Sequence, residues 1–316
     1  MIKSDEGGIG VAITQWNHSL KTQQLLSTLV HSDSISSIVI CDNGSRQEEY
    51  QATLDYLNKF LQPLNSDEES LVTVFRNQNN SGFSTGTNIA VSNLLEKEVE
   101  WIWLLNSDTQ VSLDNIQKVA SLIENNKAGI YGISIIEKPI GKFTGFYRYN
   151  FLTTRHMPVI SSNEFDVYDE SSIYCSGASM LVHRNVFEKV GLLCEDTFLY
   201  FEELDFMYRA RSEGFDQFHL QGPNLHHLGA GSSGDMNKVK IYNETWSLIN
   251  FYMNYKKVMV LWILLIRMPI KILVLVLKSK SELISIMLSA IIDFYTKKHK
   301  FLKKANILES KYFGRG

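Results

Sequence analysis

The chain has 316 residues, of which 44% are hydrophobic, 11% aromatic and 21% charged. This length accommodates one large domain or two modest ones, and the composition excludes a disordered or collagen-like chain. Three scattered cysteines, Cys41, Cys175 and Cys194, exclude a disulfide framework and a CxxC zinc site. The N-terminal sequence lacks a charged-then-apolar signal region, so we expect a cytoplasmic protein.

The net charge of -3 conceals an uneven distribution. Residues 256–316 carry 13 Lys or Arg and 3 Asp or Glu, a net charge of +10, whereas residues 1–255 carry 18 and 31, a net charge of -13. An acidic body with a basic tail is typical of a protein whose tail binds an anionic surface or forms a disordered arm. Because the tail is also very apolar, we expect a membrane surface as its partner and no nucleic acid.

The first 135 residues alternate short apolar runs with longer amphipathic segments. The short runs are β-branched or aromatic and predict buried strands at 9–14, 37–41, 71–75 and 101–105. Helical spacing fills the intervals, at 19–32, 46–61 and 85–98. The alternation predicts an α/β fold with a parallel sheet covered by helices, whose ligands bind at the carboxyl ends of the strands.

Polar residues cluster where three of these strands end. The clusters occupy residues 15–17, 42–45 and 106–109. Each cluster alone has the composition of an ordinary turn. Three of them on the same edge of a sheet favour a binding site.

Residues 137–172 lack a clean periodicity and mix aromatic residues with Arg148, Arg155 and His156. One interpretation is a long connection with a small antiparallel piece. The other is a substrate-facing loop, because long loops in compact domains are often functional.

Three carboxylates, Glu202, Glu203 and Asp205, stand among aromatic residues in the run 198–206. At a helix start, carboxylates are favoured by the helix dipole and by unpaired backbone N–H groups, which would explain any one of them. Crowded and partly desolvated carboxylates also have raised pKa values, as a general base requires. The chemistry alone leaves both interpretations open.

Asp108 lies just beyond the predicted strand 101–105. A carboxylate in this position is a common ligand of Mg²⁺ or Mn²⁺ on a phosphate-bearing molecule. His226 or His227 offers a further ligand, although two adjacent histidines are also typical of a half-exposed loop. The glycines and serines at 229–234 are consistent with a loop that closes over phosphates or with a plain turn.

The segment 80–88 leads from a predicted strand towards a helix, which indicates anion binding at the helix start. It matches neither GxGxxG nor the Walker pattern GxxxxGK[ST], and it does not follow the first strand. A nicotinamide or ATP site is therefore poorly supported.

In their order along the chain, these segments resemble glycosyltransferase family 2, in particular its bacterial rhamnosyltransferase-like branch. The family pattern runs from T-Y-N through D-N-G-S, N-x-G-F-x-x-G-x-N, L-N-x-D-T, S-G-A and V-G. It ends with F-x-Y-F-E-D-x-D-x-x-x-R and with a histidine before a Gly/Ser-rich loop. The resemblance spans residues 9–235 and is carried by the segments 16–17, 42–45, 80–88, 105–109, 176–178, 190–191, 198–209 and 227–233.

The resemblance implies the GT-A fold, with a nucleotide-binding sheet, mostly parallel and flanked by helices, joined to an acceptor-binding part. We expect a catalytic domain at residues 1–240, with a donor-binding half at 1–135 and an acceptor-binding half at 136–240. Residues 241–316 are expected to form a helical, membrane-associating tail.

By the same resemblance, the donor-binding residues lie in the first half of the chain. Asp42 would contact the base of the donor, and Asn106 and Asp108 correspond to the D-x-D of the family. The remaining expected donor-binding residues are Gln15, Asn17, Asn80, Gly82 and Asn88. Gln15 stands where the family commonly has Thr, so the contact to the base is expected to differ in detail.

The resemblance also implies a divalent cation, Mn²⁺ or Mg²⁺. Asp108 alone keeps the carboxylate of the D-x-D, which makes it the expected metal ligand. His227 is preferred to His226 as a second ligand, because Ser232 then falls at the usual distance after the histidine.

The second acid of the Glu-Asp pair, the catalytic base of the family, falls on Glu203. Here Glu replaces the usual Asp, and its extra methylene moves the carboxylate by about an ångström, a shift to which catalysis is sensitive. Either the acceptor lies slightly further away, or Asp205 or Glu202 is the base. The expected acceptor-side residues are Gly177, Ala178, Glu202 and Arg209, with Asp205 a second catalytic candidate.

The tail begins with residues 258–277, which contain 17 apolar residues, two cations and one proline. Charges in the middle of this segment make a membrane span costly, and Pro269 is expected to start a second helix. On a continuous helix, at about 100° per residue, a narrow cationic stripe is formed by Lys256, Arg267, Lys271 and Lys278. Such a stripe, followed by the apolar stretch 282–299, indicates a helix lying in an anionic leaflet. The alternative is packing on the catalytic domain or a homo-oligomer interface.

Together these features predict an inverting, metal-dependent glycosyltransferase on the inner face of the cell membrane. The best candidate reaction transfers rhamnose from dTDP-rhamnose to a lipid-linked surface glycan, a choice that the resemblance alone implies. The alternatives are a sugar-nucleotide nucleotidyltransferase and an inactive membrane-associated scaffold that keeps the nucleotide-sugar pocket. A nucleotidyltransferase would usually need a basic, glycine-rich loop after the first strand, which residues 15–18 lack.

Overall fold

The structure is a computed structural model that describes residues 8–60, 70–97, 99–124, 126–229 and 236–296. The strands are β1 (Ile9–Gln15), β2 (Ile35–Asn43), β3 (Val72–Asn77), β4 (Trp101–Asn106), β5 (Thr109–Gln110), β6 (Ile130–Glu137), β7 (Gly141–Phe143), β8 (Phe146–Asn150), β9 (Arg155–Pro158), β10 (Ile173–Cys175), β11 (Ser179–His183) and β12 (Gln217–His227). The four strands and three helices expected before residue 107 are confirmed, with small shifts at their ends. Of the expected Gly/Ser segment 229–234, residues 230–234 lie outside the described residues, as do the lysines 297, 298 and 300.

Helices cover both faces of the sheet. They are α1 (Ser19–Leu29), α2 (Gln47–Phe60), α3 (Phe83–Glu96), α4 (Leu113–Ile123), α5 (Arg184–Val190), α6 (Glu202–Ser212) and α7 (Met236–Tyr255). Two further helical segments, Lys257–Leu277 and Glu282–Thr296, end the described chain. One hydrophobic core lies under α1 and α4, and a second, larger core lies under α3, α5, α6 and α7.

The central sheet is mixed, with the strand order β3-β2-β1-β4-β11-β6-β12-β5 and with β7 paired to β6. The strands β1, β2 and β4 are parallel, as expected, whereas β11 runs antiparallel to both of its neighbours, β4 and β6. Because β12 is parallel to β6, the carboxyl ends of β1, β2, β4, β6 and β12 share one edge with the start of β11. This edge collects residues from distant parts of the sequence.

The segment 137–172 forms a small antiparallel sheet rather than a loop. Strands β8 and β9 make a hairpin, and β10 pairs with the other side of β8. Of the two interpretations of this segment, the antiparallel piece is therefore confirmed.

Helix α7 packs into the larger hydrophobic core, although the domain boundary expected from the sequence lies within this helix, at residue 241. Trp246 Nε1 donates a hydrogen bond to the Asp196 carbonyl at 3.1 Å, and Ser247 Oγ donates to the Leu199 carbonyl at 2.8 Å. The last described helix packs on α7 in turn, and Tyr242 donates to the buried Asp293 carboxylate at 2.9 Å. These contacts join the start of the tail to the segment that leads into α6.

Among the described residues, the helix Lys257–Leu277 is long and apolar enough to cross a membrane by length and composition. A π-helical turn at Ile263–Arg267 precedes its second half, and Pro269 lies in the first turn of that half. The extra residue of a π-turn rotates the helix face that follows.

The expected cationic stripe on this helix is not an outward-facing feature. Arg267 donates hydrogen bonds to the Thr153 carbonyl and to Thr154 Oγ1, and Lys271 Nζ lies 3.5 Å from Glu244 Oε1. Two of the four cations thus face the protein, where they satisfy polar groups that packing would otherwise leave unpaired. The expectation that the stripe as a whole faces outward is therefore wrong for Arg267 and Lys271, whereas Lys278 is exposed.

The outward face of the same helix is apolar instead. Val258, Leu261 and Leu265 are 92%, 65% and 67% exposed, and the exposed face continues through Ile270, Leu273, Val276 and Leu277. An apolar surface of this extent is unusual on a protein that contacts only water.

Two glycines at the ends of β7, Gly141 at its start and Gly145 in the turn before β8, distinguish backbone strain from steric overlap. Gly141 and Gly145 have φ values of 87° and 82°, but a Cβ at Gly141 meets no atom within 4 Å. A Cβ at Gly145 would overlap the Ile133 carbonyl oxygen. We expect Gly141→Ala to cost about 1–2 kcal/mol of unfolding free energy and Gly145→Ala to cost clearly more.

Thermal denaturation followed by circular dichroism measures both variants. Equal midpoints for Gly141→Ala and Gly145→Ala would contradict the close approach of the turn to β6.

Candidate active site

A cavity of about 280 Å³ opens at the shared edge of the sheet. Its walls come from the ends of β1, β2 and β4, from the starts of α1 and α3, and from the segment before α6. The lining residues are Thr14, Trp16, His18, Lys21, Asn43, Asn80, Phe83, Asn106, Ser107, Asp108, Phe198 and Leu199. Three of the expected donor-binding residues, Asn80, Asn106 and Asp108, are among them.

Gln15 and Asp42 lie behind the cavity wall, where the parallel register of β1 and β2 makes them neighbours. Gln15 Nε2 donates to Asp42 Oδ2 at 3.0 Å, and the Ser45 backbone N–H donates to Asp42 Oδ1 at 3.2 Å. Arg76 Nε lies 3.6 Å from the same Oδ1, and both Gln15 and Asp42 are fully buried. In this arrangement Asp42 orders the turn after β2, and its contact to a donor base stays a prediction.

Asn17 joins the turns that follow β1 and β2. Its backbone N–H donates to Ser45 Oγ at 2.7 Å, and its Oδ1 accepts from the Arg46 N–H at 3.0 Å. Asn17 and His18 adopt left-handed backbone conformations with φ of 56° and 54°, which Asn and His adopt more readily than most residues. Asn17 itself is buried, while its neighbours Trp16 and His18 line the cavity.

The segment 80–88 closes one side of the cavity. Asn80 Oδ1 accepts from Asn43 Nδ2 at 2.9 Å and from the Gly82 N–H at 3.0 Å. Gly82 has φ 93°, and a Cβ there would lie 2.7 Å from the Phe198 carbonyl oxygen. Only glycine therefore permits this approach to the segment before α6.

Asn88 does not line the cavity. Its Nδ2 donates to the Leu193 carbonyl at 2.9 Å and to Glu195 Oε1 at 2.8 Å, while its Oδ1 accepts from the Leu193 N–H at 3.0 Å. The structure places this side chain at the joint between α3 and the segment before α6, and its donor-binding role stays a prediction.

Asn43 is a lining residue that the sequence did not reveal. Its Oδ1 accepts from Asn77 Nδ2 at 2.8 Å and from Ser81 Oγ at 2.9 Å, and its Nδ2 donates to Asn80 and to the Gly82 carbonyl. An Asn in the second position of D-N-G-S is an ordinary turn residue, so its type alone does not indicate a role in the pocket.

Asp108 and His227 form the charged part of the site. Asp108 Oδ1 lies 3.2 Å from His227 Nε2, and Asp108 Oδ2 lies 3.6 Å from Lys21 Nζ. Burial raises the pKa of Asp108, but the hydrogen bond and charge of His227 and the charge of Lys21 outweigh it and bring this pKa below its ordinary value. His226 is exposed, because successive side chains of a strand point to opposite faces.

The pair fits a divalent cation. Two ligand atoms at about 2.1 Å from an ion, on perpendicular bonds, lie about 3 Å apart, close to the observed Asp108–His227 separation. Asn106 Nδ2 lies 3.4 Å from His227 Nε2, on the same side of the ring. In the described ranges, no group of three or more His, Cys, Asp or Glu side chains is arranged to hold a metal. A bound ion would therefore complete its shell with phosphate oxygens and water, as Mg²⁺ commonly does.

Glu137 is a second residue that the sequence did not reveal. It ends β6 in the segment without clean periodicity, directly opposite His227 of β12. Its Oε2 lies 2.9 Å from His227 Nδ1. Burial lowers the pKa of His227, but Asp108 and Glu137 together raise it above its ordinary value.

The turn before β11 connects the charged pair to α6. The Ala178 carbonyl accepts from the Asn106 N–H at 3.3 Å and from Thr109 Oγ1 at 3.1 Å. The Gly177 N–H donates to Glu203 Oε1 at 3.1 Å, and any side chain at position 177 would overlap that oxygen. Gly177 and Ala178 thus support the groups around them, and their acceptor-binding role stays a prediction.

Glu203 and Glu202 have different surroundings. Burial raises the pKa of Glu203, and the backbone N–H groups of Glu203 itself and of Gly177 oppose that rise by stabilising the carboxylate. Burial, followed by the charge of Glu203, raises the pKa of Glu202 well above its ordinary value, and Glu202 Oε2 is buried without a hydrogen-bond partner. Glu202 is therefore the member of the pair that favours the neutral form.

Two residues with strained backbone conformations determine the orientation of the start of α6. Tyr200 and Phe201 have φ values of 73° and 71°, which are costly for bulky side chains. The Phe201 ring is buried and makes edge contacts with Tyr149 and His156 of the small sheet. This packing holds the turn that presents Glu202 and Glu203.

Asp205 is bound on both oxygens. Arg209 Nε donates to its Oδ2 at 2.9 Å, and Tyr255 donates to its Oδ1 at 2.6 Å. Arg209 also donates to the carbonyls of Val190 and Leu192 at 2.9 and 2.8 Å. The pair thus joins α6 to α5 and α7, which favours the structural interpretation of Asp205 and Arg209 over a catalytic one.

The sequence model of glycosyl transferase family 2 matches residues 11–191, more than half of the chain. The protein belongs to glycosyl transferase family 2. The matched range includes the turns that follow β1 and β2, the turn at Asp108 and the turn at Gly177–Ala178. Helix α6 and His227 lie beyond the matched range.

Known members of this family provide the wider comparison. The low-salt glycan biosynthesis hexosyltransferase Agl10 of Haloferax volcanii is 27% identical over 146 residues, which are 43% of this chain and 45% of that protein. The chain thus spans under half of the length of this curated relative.

Solved structures support the GT-A fold. GalNAc-T7 with UDP, GalNAc and Mn²⁺ superimposes with a TM-score of 0.53 at 16% identity, over 78% of this chain and 48% of that one. The mannosyltransferase PcManGT of Pyrobaculum calidifontis, with GDP-Man and Mn²⁺, has a TM-score of 0.53 at 11% identity, over 99% and 77%. At these identities the likeness concerns the fold alone.

Two of the three acids of α6, Asp205 and Glu203, are expected to contribute differently to the stability of this family 2 protein. We expect Asp205→Ala to lower the unfolding free energy by about 2 kcal/mol or more, because Arg209 and Tyr255 lose a charged partner. Glu203→Gln keeps the hydrogen bond from Gly177 and is expected to leave the thermal midpoint nearly unchanged.

Differential scanning calorimetry of both variants tests this difference. A thermal midpoint of Asp205→Ala equal to that of the wild type would contradict the role of Asp205 in linking α6 to α5 and α7.

Proposed function

We propose that the protein is an inverting, metal-dependent glycosyltransferase that moves a sugar from a nucleotide donor to an acceptor hydroxyl. The observation that carries this proposal is the position of the Glu203 carboxylate. It is fixed by the N–H of Gly177, whose neighbour Ala178 is bound to the turn that bears Asp108. One connected edge of the sheet therefore holds both a candidate metal-binding pair and a half-buried carboxylate.

Asp108 Oδ1 and His227 Nε2 are the atoms that would hold a divalent cation. Such a cation offsets the negative charge that develops on the departing nucleoside diphosphate. Lys21, 3.6 Å from Asp108, adds positive charge on the same side of the cavity. The cavity wall of Asn43, Asn80, Phe83 and Trp16 provides polar groups and aromatic surface for a nucleotide.

Glu203 is the proposed catalytic base. An acceptor hydroxyl must lose its proton as it attacks the anomeric carbon, and the Glu203 carboxylate would accept that proton. Its raised pKa brings the carboxylate closer to the working pH, which makes it a stronger base than an exposed Glu. A single displacement from the face opposite the leaving group inverts the anomeric configuration.

A hexose is the proposed donor sugar, in keeping with the hexosyltransferase Agl10 as a relative. Rhamnose from dTDP-rhamnose remains the specific candidate, since the order of motifs resembles the rhamnosyltransferase-like branch. The neighbours with UDP and GDP-Man show that this fold accommodates different nucleotides. The base contact near Gln15 and Asp42 is the place where nucleotide choice would be decided.

We also propose that the exposed apolar face of the helix Lys257–Leu277 lies in the interface of the cytoplasmic leaflet. Its body-facing side packs on the protein, so the helix lies along the membrane rather than across it. The hairpin tip between β8 and β9 extends this face, because Leu152 is 60% exposed and its carbonyl accepts from Trp262 Nε1 at 3.1 Å. Exposed lysines at both ends, Lys257 and Lys278, suit anionic headgroups. A lipid-linked glycan is then the proposed acceptor.

The activity assignment is tested by release of nucleoside diphosphate from a panel of sugar nucleotides with Mn²⁺. We expect Glu203→Gln to reduce kcat by about 100-fold or more, because the hydroxyl loses its base. Asp108→Asn should raise the Mn²⁺ concentration needed for half-maximal rate. The wild-type rate should fall as the pH drops through the raised pKa of Glu203, at a higher pH than an ordinary Glu would give.

Unchanged turnover in both variants would refute the residue roles. Absence of turnover by the wild type with every sugar nucleotide would favour a non-catalytic scaffold.

Membrane binding is tested by co-sedimentation with vesicles that contain phosphatidylglycerol. Leu265→Glu introduces a charge into the proposed buried face, and loss of one buried Leu should weaken partitioning by about tenfold or more. Leu20→Glu is a matched control, because Leu20 is 64% exposed on α1, whereas Leu265 is 67% exposed.

Equal binding by the two variants would contradict the proposed face. Release of the wild type by 1 M salt would instead indicate attachment by charge alone.

A further inference from the structure

We propose that Glu137 is a positioning residue that holds the His227 ring with Nε2 directed at the metal. This inference rests on the proposed metal dependence, but it concerns a contact that exists in the metal-free protein. Glu137 lies outside all of the sequence motifs described above.

Strand pairing brings the two residues together. Glu137 is the last residue of β6, and His227 is the last residue of β12, its parallel neighbour in the sheet. The register places their Cα atoms as partners, so the contact follows from the backbone and needs no mobile loop. Sites built on strands are held more rigidly than sites on loops.

The contact fixes the orientation of the ring. Glu137 Oε2 lies 2.9 Å from His227 Nδ1, and an ionised carboxylate can only accept a hydrogen bond, so Nδ1 is a donor. Asp108 Oδ1 lies 3.2 Å from Nε2, on the opposite edge of the ring. A cation held between Asp108 and Nε2 would take the place of a proton there, while Glu137 continues to hold the Nδ1 edge.

The position of Glu137 allows it to orient His227, the proposed metal ligand, but not to bind the metal itself. It contacts the Nδ1 edge of the ring, whereas Asp108 contacts the Nε2 edge. A carboxylate on the far edge of a metal-binding histidine fixes the tautomer and increases the basicity of the ligand. The described part of the chain accordingly offers two protein ligands and one support, which agrees with the lack of a three-residue metal cluster there.

Metal affinity provides the first test. We would titrate the purified full-length protein with Mn²⁺ alone and follow free Mn²⁺ by electron paramagnetic resonance. We expect Glu137→Ala to weaken Mn²⁺ binding by about 10–100-fold and Glu137→Gln to retain most of it, since the amide oxygen still accepts from Nδ1–H. Glu100→Gln is the matched control, because Glu100 pairs with His183 at 3.5 Å on the opposite edge of the sheet.

The tautomer provides a second test that needs neither metal nor donor. Long-range ¹H–¹⁵N spectra of the histidine-labelled Asp108→Ala protein, which lacks the carboxylate at Nε2, should show the neutral His227 protonated at Nδ1. Adding Glu137→Ala should shift His227 towards the Nε2–H form, while adding Glu100→Gln leaves it unchanged.

Two results would overturn the proposal: an unchanged His227 tautomer in Glu137→Ala, or Mn²⁺ affinity that falls equally in the control. If the wild type binds no Mn²⁺, the proposed metal dependence is refuted, and the tautomer spectra still decide whether Glu137 orients the ring.

Discussion

The direction of the strands is the constraint on which the site depends. β11 enters the sheet antiparallel between β4 and β6, so its first residues lie at the same edge as the last residues of its neighbours. That edge brings Asp108, Gly177 and His227 together from positions far apart in the sequence. A sheet that was parallel throughout would place the start of β11 at the opposite edge, and Gly177 could not bind Glu203.

Buried charge is tolerated at this edge because nearly every carboxylate has a partner. Asp108 is balanced by Lys21 and His227, and Asp205 is held by Arg209 and Tyr255. Glu202 is the exception. With one oxygen buried and unpaired, it favours the neutral form, since an unpaired charge is costly in a low-dielectric interior. Its neighbour Glu203, stabilised by two backbone N–H groups, is left as the carboxylate suited to proton transfer.

Sequence reasoning succeeded where a local pattern decides, because the strands before residue 107 follow from apolar runs. The roles of Asp108 and His227 stay predictions, although the structure places the two side chains 3.2 Å apart. Sequence reasoning failed where position depends on a distant neighbour. Asn43 resembles a turn residue and Glu137 resembles a surface carboxylate until folding brings them against Asn80 and His227. The outward cationic stripe was wrong for the same reason, because Thr153 and Glu244 turn those cations towards the protein.

The sequence by itself determined the class of fold, the edge of the sheet where ligands bind, the family, and the charged segment that forms the tail. These follow from local periodicity and from short motifs, which a chain carries before it folds. The tertiary structure alone decided which side chains face the cavity, which carboxylate is neutral, and which face of the apolar helix is exposed. Burial and pairing determine these properties, and both arise only when distant segments pack together.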